Sequence, residues 1–417
     1  MMHANIIEVQ KLDPARFMDL DLSGEEMRQG ALRGICAGWA RKAPFYVMNA
    51  GVPHAVAGRY QDVRDVFQDQ DRFSATPQRA EGFERLDFFN GIVTVAQTDG
   101  AEHDRIRRAL QPYFSPAFLA TVDGAIRGIV DGMLDEVAAK GGPFDCMQDF
   151  AGGLVVRILL DGLLGLTPRQ QSALVNMNRA FSLTVNLPPG APRPPEYLAA
   201  EREASQVIGE MISERRTRPR DKDFVSALLA GQSQSGALSD AEIAANIFGI
   251  CIAGQGTTSI TSATMLMNLC KHREQFNQVI SDPKLIPQTV EEALRYQGPG
   301  FFGFPRFAVR DCEVGGTPVL KGMPVLGSQQ AAGWDPDVFP EPERFDIHRK
   351  PKNILTFGSG RHHCLGNRLA RQVLCIVLEK VCLRFPNLRL QDPAFEPHYE
   401  GMFGEVKPSS IPMHTGL

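Results

Sequence analysis

Apolar residues recur three and four positions apart through most of this chain, the spacing that lines one face of a helix. The pattern predicts a mainly α protein, with helices over residues 119–139, 154–166 and 197–216. Another follows Cys364, where Leu365, Leu369, Val373, Ile376 and Lys380 fall at spacings of four and three. The longest runs from Ser239 to Cys270 and opens on Ser239-Asp240-Ala241-Glu242, a capping-box start. Short strand-like runs at 45–48, 54–58, 306–309 and 324–326 add a small β region.

No charged side chain occurs from Ile243 through Cys270. A helix of that length spans roughly 45 Å at 1.5 Å per residue, enough to cross a protein core or a bilayer. Asn246, Gln255, Thr257, Thr258, Ser259, Thr261, Ser262 and Thr264 weigh against lipid, where polar groups are costly. A core helix is therefore expected.

Composition narrows the setting. The chain has 417 residues, 43% hydrophobic and 22% charged, enough to bury a large core. A net charge of −4 offers no basic footprint for nucleic acid. Eight cysteines lie scattered without a disulfide framework, which fits a reducing cytoplasm. Met1-Met2-His3-Ala4-Asn5 shows no signal pattern, and no membrane anchor is expected. No linker, repeat or low-complexity tract divides the chain, so residues 1–417 are expected to form one domain, with 1–20 a loosely ordered extension.

Candidate chemistry concentrates near the C-terminus, in Phe357-Gly358-Ser359-Gly360-Arg361-His362-His363-Cys364-Leu365-Gly366. A glycine-rich turn delivers one cysteine to a helix N-terminus, where partial positive charge and free N–H groups favour thiolate. Such a thiolate suits haem iron. The same thiol could simply pack as a small buried hydrophobe. A phosphate-loop nucleophile would need arginine six positions on, where Ala370 stands between Arg368 and Arg371. Zinc is disfavoured because His362, His363 and Cys364 are adjacent and cannot easily converge on one ion.

The segment resembles the cysteine-ligand loop of cytochrome P450, Phe-Gly-x-Gly-x-His-x-Cys-x-Gly, at every specified position: Phe357, Gly358, Gly360, His362, Cys364 and Gly366. The resemblance implies heme b (iron protoporphyrin IX) with Cys364 as its iron ligand. Other family motifs follow in order. Glu292 and Arg295 look like the family's Glu-x-x-Arg pair, with Arg344 as the third member of a structural ion network. His103 and Arg107, four apart on one helical face, resemble propionate ligands, joined by Arg306 and His362. Ala253-Gly254-Gln255-Gly256-Thr257-Thr258 resembles the oxygen-binding motif Ala-Gly-x-(Asp/Glu)-Thr-Thr, with Gly256 at the acidic position. That departure puts the carboxylate proton relay in doubt and leaves Thr257, Gln255 or a water chain near Gly256 to serve it. An aspartate restored at 256 is expected to fold. Two glycines inside a helix cost about 1 kcal/mol each relative to alanine and suggest a cofactor or ligand packed against them.

The resemblance covers most of the chain from about Phe45 and implies the P450 fold, with haem between the long oxygen-side helix and the cysteine-side helix. It implies a soluble bacterial-type monooxygenase placing one oxygen atom from O2 into an apolar small molecule, terpenoid, aromatic or alkyl. Its electrons would come from a separate ferredoxin and ferredoxin reductase. A monomer is expected, with neither nucleic acid nor membrane as partner. Phe88, Phe89, Ala253, Phe301, Phe302 and Phe403 are expected to line the pocket, and residues 187–195 to form a lid. A peroxide-driven oxygenase and a non-oxygenating haem-thiolate protein are the alternatives. The first usually carries an arginine near the oxygen-side motif, and none is present.

Overall fold

The computed structural model describes residues 7–22, 24–28, 32–76, 94–184, 187, 191–221, 223–233, 236–402 and 405–417. The helices at 119–139 and 197–216 are present as Pro116–Ala139 and Pro195–Thr217. Ser115 accepts the Phe118 N–H and starts the first of them. The helix at 154–166 departs from the expected form. Gly152–Val155 is α-helical, and Val156–Leu163 widens into π-helical turns.

All four strand-like runs are strands of one sheet. Its order is Phe45–Asn49, Val52–Ala57, Pro324–Gly327, Arg306–Ala308, then the short Phe73–Ser74. The first two make a hairpin whose two-residue turn, Ala50-Gly51, has φ of 50° and 79°, the double positive φ that matches strand twist. Parallel pairing of Ala55 with Val325, and antiparallel pairing of Val325 with Arg306, carry Arg306 into the sheet interior. Residues 7–20 pack onto this sheet instead of extending loosely. Ile7 and Leu12 are buried, and Phe17 bridges Tyr46.

The long helix is two segments, Asp240–Gln255 and Thr257–Lys271, interrupted at Gly256. Ser239 and Glu242 form the expected reciprocal cap. The second segment is buried continuously from Ser259 to Leu269. By length and composition alone, 240–271 could cross a membrane. Its hydroxyls do not by themselves argue otherwise. Ser259, Thr261, Ser262 and Thr264 each donate to the carbonyl four residues back, at 2.8–3.0 Å, and so are satisfied within the helix. Enclosure by protein is the stronger argument. Pro116–Ala139, Ile286–Tyr296 and Asn367–Arg384 pack around one core with this segment.

Candidate haem-thiolate site

The Cys364 loop is shaped by close approaches that only glycine allows. Gly358 and Gly360 have φ of 69° and 71°, and a Cβ on Gly360 would sit 2.9 Å from the Phe67 carbonyl oxygen. The Cys364 N–H donates to Phe357 O at 2.9 Å, and Arg371 lies 4.4 Å from the Phe357 ring centroid while pairing with Glu291. The helix Asn367–Arg384 begins just beyond, so the Gly366 and Asn367 N–H groups point at the sulfur.

Cys364 is accessible, yet burial among surrounding protein atoms is the largest influence on its thiol. The sulfur therefore faces a recessed surface. Burial pushes its pKa up, outweighing the helix N–H groups and the charges of Arg107 and Arg371. The helix N–H groups do favour thiolate, as the sequence leads one to expect, but burial opposes them. A bound cation would have to displace the proton.

Around it, a helix and the sheet present groups with hydrogen-bonding capacity left open among the described residues. From the helix Gly100–Leu110, His103 is fully buried with Nδ1 3.2 Å from Asp104 and, among the described residues, no partner for Nε2. Burial, reinforced by His362, lowers its pKa to about 4, so it is neutral at pH 7. Arg107 on the same helix has its pKa lowered by burial and makes no ion pair among the described residues. Arg306 reaches in from the sheet. Among the described residues it donates only to the Phe304 and Pro305 carbonyls, at 3.2 and 3.4 Å, with the Phe67 ring beneath, and burial lowers its pKa to about 10. His362 differs, because its Nε2 already meets Asp99 at 3.1 Å. Burial pushes the Asp99 carboxyl up, but hydrogen bonds from His362, Ser74 and the Ala75 N–H win and hold it well below the usual range.

Among the described residues, one buried and one half-buried guanidinium without carboxylates, a buried ring nitrogen without a partner and a recessed thiol are what a flat, dianionic, metal-bearing group requires. The donor set fits haem.

Behind the loop, Arg295 meets Glu292 through two bonds of 2.7 Å with both side chains fully buried. Arg295 also donates to the Gly333, Pro342 and Arg344 carbonyls. The third side chain is not the expected one. Arg344 is exposed and pairs with Asp346, contributing only its backbone carbonyl. Arg349 takes the place, with Nε 3.2 Å from Glu292.

On the oxygen side, Ala253 is exposed and Thr257 half-buried, one turn apart on a helix otherwise packed in the core. The Thr257 hydroxyl donates to Ala253 O at 2.9 Å. Gln255 is buried and its Nε2 has no partner among the described residues. The two glycines need no cofactor to explain them. A Cβ on Gly254 would lie 3.1 Å from Leu159, and one on Gly256 would overlap the carboxylate of Glu405. Glu405 lies about 150 residues on in sequence, and only the missing acid at 256 hinted that one was needed.

The pocket candidates divide. Phe301 and Phe302 are core residues, each 2% exposed, with rings 5.7 and 5.6 Å from Trp39. Their place in the core is a correction to the expected pocket. Phe88, Phe89 and Phe403 lie outside the described residues, as does part of the stretch expected to form a lid.

A family model described as Cytochrome P450 matches residues 42–411. The mycinamicin IV hydroxylase/epoxidase of Micromonospora griseorubida is 34% identical over 82% of this chain and 85% of its own. The nocardicin C N-oxygenase of Nocardia uniformis subsp. tsuyamanensis is 33% identical over 80% and 83%. A myxobacterial cytochrome P450 crystallised with myristic acid superposes with a TM-score of 0.84 at 27% identity, covering 94% of this chain and 98% of that one. Motif, fold and relatives agree: this chain belongs to the cytochrome P450 family, haem-thiolate oxidoreductases that incorporate oxygen into small molecules.

Proposed function

We propose that this chain is a monooxygenase that places one atom of O2 into an apolar small molecule of terpenoid, aromatic or alkyl type. Electrons would come from a ferredoxin and its reductase. We assign the cofactor as heme b. The recessed, accessible Cys364 thiol, with the buried Arg306 and the half-buried Arg107 lacking ion pairs among the described residues, carries this reading. Cys364 would ligate the iron. Arg107, Arg306 and the Nε2 of His103 would hold the propionates, with His362 joining them if it exchanges its bond to Asp99. Phe357, Gly358 and Gly366 shape the loop that carries the thiolate. When bound, a haem with a thiolate ligand supplies O–O bond cleavage.

The protein's own work is to exclude water, orient the substrate and move protons. Thr257 and Gln255 supply a hydroxyl and an amide on the oxygen side, and the exposed Ala253 lets substrate approach the helix. Residues 1–417 would act as one monomeric cytoplasmic unit. Relatives named for mycinamicin, nocardicin and steroid chemistry differ too widely to fix one substrate.

The test is spectroscopic. The reduced protein with carbon monoxide is expected to show the red-shifted Soret band of thiolate ligation, and Cys364→Ala to lose it. An unchanged band in that variant overturns the assignment. NADH consumption matched by product formation separates a monooxygenase from a peroxide-driven oxygenase.

A further inference from the structure

Gly256 stands where the oxygen-side motif is expected to carry an acid, and the space its side chain would fill is already taken. A Cβ built there overlaps Oε1, Oε2 and Cδ of Glu405. Glu405 opens the strand Glu405–Pro408, which pairs with Tyr399–Met402 in the C-terminal hairpin. A second glycine fixes its backbone. Gly401 has φ of 95°, and a Cβ there would overlap the Glu405 carbonyl oxygen. The Val406 N–H, bonded to Pro299 O at 2.8 Å, ties the strand down. One glycine thus admits the carboxyl and the other admits the chain that bears it.

We propose that Glu405 is the proton-relay acid of the oxygen side, reaching the Thr257 turn from the C-terminal hairpin in place of an acid at 256. This rests on the monooxygenase reading above.

Its surroundings suit that task. The carboxyl makes no hydrogen bond or ion pair to any described residue. Lys407, on its own strand, is 3.7 Å from Glu400 instead. The helix against which it lies carries no charged side chain from Ile243 through Cys270. Burial raises its pKa to about 7, opposed only by Lys407, so both protonation states are populated at neutral pH. A neutral amide such as Gln255 cannot supply a net proton. Monooxygenation consumes O2, two electrons from the reduced ferredoxin and two protons, leaving one oxygen in product and one in water. Glu405 would pass a proton toward the Thr257 hydroxyl and recover it from solvent, ending unchanged.

Two measurements test this. Infrared difference spectroscopy of the holoenzyme, parent against Glu405→Gln, is expected to show a protonated carboxyl band that titrates near neutral pH and is missing from the variant. Oxygen consumption is then followed with NADH and a surrogate ferredoxin and reductase. Glu405→Gln is expected to raise the peroxide share several-fold and alter the solvent isotope effect, with Glu405→Asp intermediate. The carbon monoxide spectrum normalises for haem content. Moving the acid back, in Gly256→Asp with Glu405→Ala, is expected to lower the peroxide share again. A parental peroxide share and isotope effect in Glu405→Gln overturn the proposal while leaving the monooxygenase reading intact. If the parent reduces no oxygen, both fall.

Discussion

The cysteine side and the oxygen side of this protein solve similar problems with different locality. Beside Cys364, eleven consecutive residues supply the thiol, its N–H donors and the glycines that shape the turn. Beside Thr257, the helix offers a hydroxyl and an amide, while the acid that lies against Gly256 arrives from a hairpin about 150 residues later. Chemistry built within one turn of chain is written as a motif. Chemistry built across a tertiary contact leaves only a gap in the motif and, here, a glycine.

Locality predicts where substitutions do most harm. The Glu292–Arg295 pair braces the cysteine side from full burial. Glu292→Gln keeps the shape but removes the charge that Arg295 and Arg349 share. Breaking a buried pair by removing one partner costs about 3–5 kcal/mol. Denaturant unfolding should show a loss of that size, with weakened haem retention. A loss below about 1 kcal/mol would mean that water reaches the network.

Arg306→Leu sharpens the contrast because its effect should change sign with the cofactor. Without haem, Arg306 is a buried cation lacking an anion, so the apoprotein is expected to gain stability. With haem, the variant leaves a propionate underpaired and should release haem faster, equivalent to about 2–4 kcal/mol if the pair is buried. Apoprotein melting temperature and haem transfer to a scavenger protein measure the two halves. Both moving in the same direction would count against Arg306 as a propionate partner.

The oxygen side is tested by crowding. Gly256→Ala would push aside the Glu405 carboxyl, the free end of a flexible side chain, and should destabilise the protein by at most about 1 kcal/mol, a strain that Glu405→Ala relieves. Gly256→Asp alone, which is still expected to fold, should cost at least as much. The pH dependence has a definite sign. The folded carboxyl has a pKa of about 7 against 4.5 for the free group, so the folded state holds the proton more tightly. The stability this contributes is full below pH 4.5 and is lost as pH rises through about 7. A Glu405→Gln variant should flatten that slope in thermal melts between those limits.

The smallest expected effect concerns what could be read along the chain. All four strand-like runs and three helices were visible because periodicity is local. The break at Gly256 and the π-helical turns of Val156–Leu163 were hidden, since both depend on neighbouring elements. Phe301 and Phe302 read as pocket but are core, because an aromatic pair looks the same in either place until Trp39 is set beside it. The third arginine failed similarly. Arg344 and Arg349 are five residues apart with no local feature to separate them, and the turn between points one outward and the other at Glu292. Arg344→Ala removes exposed pairs only and should shift stability by less than about 0.5 kcal/mol. Arg349→Ala strips a donor from a fully buried carboxylate and should cost about 1–3 kcal/mol. Melting both variants side by side checks the assignment. Equal effects would put the Arg344 side chain back in the network, whereas a loss confined to Arg349→Ala fixes the brace as Glu292, Arg295 and Arg349.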